Sequence, residues 1–194
     1  MVSHVILYTE RGDCMALAKT RDYTVEDIYN LPDGQRAELI DGDMYKMAPP
    51  NRKHQAISMN LSHKIKDYIL SNKGTCAVYA APFAVFLTED DRTYVEPDIS
   101  VICSRDKLTD AGCNGAPDWI IEIVSNSSRQ MDYMRKLFKY RSAGVREYWI
   151  VDPGKDRITI YNFDAGTTEE YQMKDTVPVG IFNDLQIDFS EIVE

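Results

Sequence analysis

The segment Trp119–Ser125, WIIEIVS, constrains this chain more than any other stretch of it. Its apolar residues run without alternation, which is the pattern of a strand buried on both faces and therefore of a sheet covered above and below. Glu122 nevertheless stands at its centre, between Ile121 and Ile123. A carboxylate in such a place is costly unless it is paired, hydrogen-bonded or bound to a metal. Any fold for this chain has to supply that partner.

The surrounding pattern supplies the layers. Thr24 heads TVEDIYNL as an N-cap with Asp27 three residues on. Residues 36–47, RAELIDGDMYKM, read as a hairpin turning at Asp41-Gly42. His54, Ile57, Leu61, Ile65 and Tyr68 recur at helical spacing and predict a helix over 54–70. Residues 76–87 and 94–103 read as strands, and 112–117 as a loop. Asn126-Ser127-Ser128 caps a second helix that runs to about Ser142 and stops at Gly144. Strands follow at 147–151, 157–163 and 186–189. Strands interleaved with two solid helices predict an α/β sandwich with a mixed central β-sheet flanked by helices. Residues 21–194 fit a single domain, with residues 1–20 as a peripheral arm.

Composition excludes several classes. Cys14, Cys76, Cys103 and Cys113 form no CxxC pair and no metal-finger spacing, so they read as separate thiols of a reducing, cytoplasmic protein. The most apolar run, residues 76–87, is too short to span a bilayer, and no membrane role is expected. A net charge of −9 argues against a general basic coat for nucleic acid. The total hides two basic stretches. Residues 51–73 hold five Lys and Arg against Asp67, and residues 126–146 hold six against Asp132. If both helices flank one site, they form a basic rim around it.

Two further acids break the strand pattern. Asp98 follows Pro97 inside the 94–103 segment, and Glu38 precedes the Asp41-Gly42 turn. Taken singly, each acid has an ordinary explanation in a strand end or an ion pair. If their strands are neighbours, Asp98 and Glu122 converge on one hard cation, with Glu38 as a third oxygen ligand; Mg²⁺ suits one or two carboxylates plus waters and phosphate. His54, on the apolar face of its helix, is either a satisfied core residue or a phosphate contact or proton shuttle. Tyr148 and Trp149 read as strand core.

The ordered series ELIDG (38–42), His54 at a helix start, EPD (96–98), APDWIIEIVS (116–125), Asp132, Lys136, Tyr140 and GVREYWIVDP (144–153) resembles the Uma2 family. That family, once called DUF820, is placed in the PD-(D/E)xK restriction-endonuclease-like superfamily, and the resemblance runs from about residue 23 to 163. It implies a restriction-endonuclease-like sandwich and a metal-dependent endonuclease acting on DNA. Asp98 takes the place of the metal-binding Asp of the superfamily's Pro-Asp pair, and Glu122 that of the Glu of its ExK triplet. The triplet's Lys, which positions the attacking water and offsets phosphate charge, is replaced here by Val124. The resemblance points to Lys136 on the next helix instead.

Helix pattern alone points the other way. Met131, Met134, Leu137 and Phe138 cluster on one side, and Lys136 lies about 200° around the helix from Met134. If the Met/Leu/Phe side packs on the sheet, Lys136 is a solvated partner of Asp132. If the helix is covered on both sides, Lys136 turns inward with Tyr140. The expected cofactor is Mg²⁺ or Mn²⁺, and the expected partners are DNA and a second copy of the chain. The rival is a catalytically weak nuclease-fold module for DNA or protein binding, with the Met/Leu/Phe side as a dimer interface.

Overall fold

The computed structural model describes residues 22–125 and 131–193. The expected N-terminal arm and the Asn126-Ser127-Ser128 cap lie outside the described residues. Helix α1 is Val25–Tyr29, and Asp27 accepts the Thr24 backbone N–H at 2.9 Å as the capping pattern predicts. Strands β1 (Ala37–Ile40) and β2 (Asp43–Lys46) form the expected hairpin. Positive φ at Asp41 (53°) and Gly42 (75°) closes it with a twist that suits the paired strands. Helix α2 is Arg52–Ser71, capped by Asn51, whose side chain accepts the His54 N–H.

The two long strands expected at 76–87 and 94–103 are shorter. The first divides into β3 (Ala77–Ala80) and β4 (Val85–Phe86) around Pro82; of the second only β5 (Ile99–Ile102) joins the main sheet. Residues 105–107 make a single 3₁₀ turn before β6 (Leu108–Thr109) and β7 (Gly112–Asn114). The stretch expected as a loop from Gly112 is thus a strand, parallel to β4. Gly112 is required there: at φ +144° an added Cβ would lie 2.3 Å from the Ala84 carbonyl oxygen.

Strand β8 (Trp119–Ile123) is buried throughout. A π-helical segment, Met131–Lys136, runs into α3 (Leu137–Ala143), which ends at Gly144 with φ 92°. Strands β9 (Glu147–Asp152), β10 (Arg157–Asn162), β11 (Thr167–Tyr171), β12 (Thr176–Pro178) and β13 (Gln186–Asp188) complete the chain. The central sheet has the order β11-β10-β9-β8-β5-β3, with β8 and β9 parallel and the other pairs antiparallel. It is the mixed sheet between helices that the sequence pattern predicts.

One face of the sheet meets Ile57, Leu61, Ile65 and Ile69 of α2 and the β12–β13 hairpin through Trp119, Ile121, Trp149 and Val151. The other meets Tyr140 and Val145 through Ile120, Val124, Tyr148 and Ile150. Tyr148 and Trp149 are core, on opposite faces, as expected of strand neighbours. Glu147, buried below α2's side of the sheet, accepts Trp149 Nε1–H (2.6 Å) and the N–H groups of Gly180 (3.0 Å) and Ile181 (2.8 Å). Glu147→Ala leaves these donors unmatched, and urea unfolding should show a loss of about 3 kcal/mol.

The cysteine expectation is corrected. Cys76 and Cys103 form a disulfide, with Cα atoms 3.9 Å apart. The β3–β5 register sets Ala77 against Ile102, so the next pair outward is Cys76 and Cys103. Nothing in their spacing along the chain reveals this. The argument from separate thiols to a reducing compartment therefore does not hold for these two. Among the described residues no helix is long and apolar enough to cross a membrane.

Candidate active site

The register of the central sheet brings the acids together. Ile99 pairs with Ile121, and one step further Asp98 comes opposite Glu122. Asp98 lies just before β5, where its carboxylate takes over the role of a strand carbonyl. Its Oδ2 accepts the Ile123 N–H at 2.7 Å and sits 3.1 Å from His54 Nε2. Glu122 shares its sheet face with Ile120 and Val124, towards α3. Glu38 arrives from the hairpin, because Leu39 and Tyr94 exchange backbone hydrogen bonds of 2.7 and 2.8 Å. Its Oε1 then accepts the Glu96 N–H at 3.0 Å.

Lys136 joins these acids. Its Nζ is 2.8 Å from Glu38 Oε2, 2.9 Å from Glu122 Oε1 and 3.7 Å from Asp132 Oδ1, and the side chain is 5% exposed. The inward placement implied by the family resemblance is the observed one; the solvated placement suggested by the apolar pattern is not. Met134 and Phe138 are 63% and 69% exposed instead. The polar line Asp132, Lys136, Tyr140 faces the sheet because each member finds a partner there. Tyr140 Oη donates to Glu122 Oε1 at 2.6 Å. Tyr148 Oη donates to the Asp132 carbonyl at 3.1 Å and fixes the π-helical turn.

The electrostatics follow from this crowding. Burial raises the Glu122 carboxyl well above its ordinary range; Lys136 opposes the rise, and Asp132, Asp98 and Glu38 add to it. Burial alone would lower Lys136, but Glu122, Glu38 and Asp132 outweigh it and hold the ammonium well above its usual value. Desolvation works against a charged His54, yet its bond to Asp98 and that carboxylate's charge raise it overall. Burial, then the Glu122 and Glu38 charges, raises the Tyr140 phenol. Lys136 is thus a standing cation, and Tyr140 a standing donor, across the neutral range.

Glu38, His54, Asp98, Glu122, Asp132 and Lys136 line a cavity of about 530 Å³ that also takes in the residues after β2 and the turn after β3. Among the described residues no three His, Cys, Asp or Glu side chains form a ready-made cation cage. Lys136 stands between Glu38 and Glu122 where such a cage would close. The donor set nonetheless fits a hard divalent cation. Glu38, Asp98, Glu122 and Asp132 bring four carboxylates to Lys136 and His54, and the Glu122 carboxyl, raised first by burial, is raised further by the other three.

Two features escaped the sequence reading. Arg36 donates through Nε to Glu96 Oε2 at 2.8 Å and through a second, shorter bond from Nη2; Tyr94 Oη donates to Glu96 Oε1 at 2.7 Å. This group holds the peptide that carries Glu96 N–H to Glu38. The signal was an acid two residues before Asp98 in the EPD triplet. The basic rim is also largely absent. Arg135 is engaged by Tyr45 and by Asp43 at 3.7 Å, Lys139 by Asp41, Arg146 by Asp118 and Asp164, and Lys64 by Glu191. Among the described residues, Lys46 on the cavity wall and Arg52 and Lys53 on the first turn of α2 remain exposed. The hairpin turn carries the acids that consume the outward cations of α3.

Comparison with known proteins bears on the family and the fold. The family described as "Uma2: Putative restriction endonuclease" matches residues 25–190. A crystal structure described as a putative nuclease belonging to DUF820, from Anabaena variabilis ATCC 29413, aligns with a TM-score of 0.71 at 23% identity. The alignment covers 88% of this chain and 97% of that one, and shows a shared fold. No curated protein matches the sequence.

Proposed function

The chain belongs to the Uma2 family, and from that premise we propose that its acidic cavity is a metal-dependent endonuclease site hydrolysing DNA phosphodiester bonds. The observation that carries the reading is Lys136, buried with its ammonium within 2.9 Å of both Glu38 and Glu122 beside Asp98. A nuclease of this superfamily needs a cation at that place, and Val124 vacates it. The side chain from the next helix fills the same role.

Asp98 and Glu122 would hold Mg²⁺ or Mn²⁺, with Glu38 as the third oxygen. When bound, the ion supplies Lewis-acid polarisation of the phosphate and a more acidic water. The chain's own groups do the positioning. Lys136 stays protonated, so it acts as a donor and positive charge towards the attacking water and the phosphate, not as a base. Tyr140 orients Glu122, the Glu96 peptide orients Glu38, and His54 orients Asp98. His54 Nδ1 is buried and has no hydrogen-bond partner among the described residues.

Asp98→Asn tests the reading. Purified protein with Mg²⁺ or Mn²⁺ should nick plasmid DNA, and the variant should cleave about 10²–10³-fold more slowly. Calorimetry should show Mn²⁺ affinity reduced by at least about tenfold in the variant. Equal nicking by wild type and variant defeats the mechanism. Absence of heat at millimolar Mn²⁺ in the wild type would favour the rival, a nuclease-fold binding module.

A further inference from the structure

The walls of the cavity mouth are unlike its floor. On one side the chain runs through Ala48, Pro49 and Pro50, all exposed; on the other it turns at Ala81-Pro82. Flanking that second lip, Tyr79 and Phe83 stack with ring centroids 4.3 Å apart and planes within 5° of parallel. Tyr79 is 37% exposed and lies on β3, the edge strand of the central sheet. It pairs with Ser100, and Ala81, two residues on, donates its N–H to the Asp98 carbonyl at 3.0 Å. Two residues of strand span roughly 7 Å, so the Tyr79 backbone lies about one nucleotide's length along β3 from the residue that meets Asp98.

Charge narrows what can approach. Five acids line the cavity: Glu38, Glu96, Asp98, Glu122 and Asp132. Of the lining Lys and Arg residues, Arg36 is engaged by Glu96 and Lys136 by Glu38 and Glu122, which leaves Lys46. Duplex DNA binds mainly through many phosphate contacts, and this mouth offers few. The exposed Tyr79 ring, backed in parallel by the half-buried Phe83, offers the other source of affinity, stacking on the face of an unpaired base, which is indifferent to sequence.

We propose that the stacked Tyr79–Phe83 pair beside the acidic cavity is a base-stacking platform, and that the substrate is an unpaired stretch of DNA strand in preference to duplex. The proposal rests on the nuclease reading for the identity of the nucleic acid. The platform grips a base next to the scissile phosphate while the carboxylate and Lys136 cluster receives that phosphate.

Fluorescence anisotropy with labelled oligodeoxythymidine and a duplex of equal length tests it, using the Glu122→Gln background to prevent cleavage. Single strand should bind at least about tenfold tighter than duplex; Tyr79→Ala and Tyr79→Leu should each weaken it about tenfold, and Tyr79→Phe by less than about twofold. The salt dependence of binding should be unchanged in all three, because a lost ring removes no phosphate contact. Tyr79→Leu keeps apolar cover at the lip, so its failure to rescue excludes a purely structural role. Duplex bound as tightly as single strand, or Tyr79→Ala equal to Tyr79→Phe, overturns the proposal. The two readings fail separately. Wild-type cleavage of both DNA forms with equal KM would sink the platform and leave the nuclease. Strand-selective binding without cleavage in Mg²⁺ or Mn²⁺ would sink the nuclease and leave the platform.

Discussion

Lys136→Met should abolish metal-dependent cleavage, by about 10³-fold, and lower unfolding stability by about 3–5 kcal/mol in chelator. Both effects come from one atom. Lys136 Nζ is the counter-ion of Glu38, Glu122 and Asp132, all nearly excluded from water. Methionine fills similar space but leaves three carboxylates facing each other without a cation. Urea titration with EDTA reads the stability, and plasmid nicking reads the activity. The double variant Glu122→Gln/Lys136→Met separates the two, since removing one acid with the ammonium should return more than half of the lost stability and none of the cleavage. A Lys136→Met protein as stable as wild type would mean that the ammonium is not the standing counter-ion.

Glu122→Gln should have opposite effects on stability and activity. Cleavage should fall about 10³-fold, while the melting temperature in chelator rises by about 3–6 °C. The sign follows from linkage. Glu122 titrates well above 4.5 when folded because burial, opposed only in part by Lys136, disfavours its charge. The folded state therefore binds the proton more tightly than the unfolded chain does. Ionising Glu122 costs stability, starting as pH rises past the unfolded value near 4.5 and reaching its full extent above the raised folded value. The variant should match wild type at the acid end of that window and exceed it towards neutral pH. A difference that shrinks with rising pH, or a less stable variant at neutral pH, would contradict the charge excess assigned to this cavity. Saturating Mn²⁺ should narrow the gap by stabilising wild type alone.

Much of this site was legible in the sequence because buried acids stand out against apolar strands. Glu122 in WIIEIVS and Asp98 after Pro97 announce themselves, and the sheet register places them side by side. The Asp132, Lys136, Tyr140 spacing was equally visible, but its direction was not. Amphipathic reasoning sends polar residues to water unless the interior offers partners, and those partners lie far off in the chain, at Glu38 and Glu122. Strand β11, Thr167–Tyr171, escaped because it is an exposed edge whose TTEEY sequence carries no apolar alternation. Strands β4 and β7 were too short to give any period. The Cys76–Cys103 bond and the Arg36–Glu96 pair depend wholly on long-range register.

The π-helical turn at Met131–Lys136 has a consequence for anyone engineering this protein. In a regular α-helix, residues four apart drift by about 40°, so Asp132 and Tyr140 would diverge by about 80°. A π turn, with roughly 4.4 residues per turn, drifts about 33° in the other sense over its four steps and nearly cancels the next four. Asp132 and Tyr140 then point along almost the same azimuth with Lys136 between them. Deleting one residue before Lys136 would regularise the helix and swing Asp132 out of the cavity. The local irregularity is a phase corrector, and a design that smooths it for stability would dismantle the site it aligns.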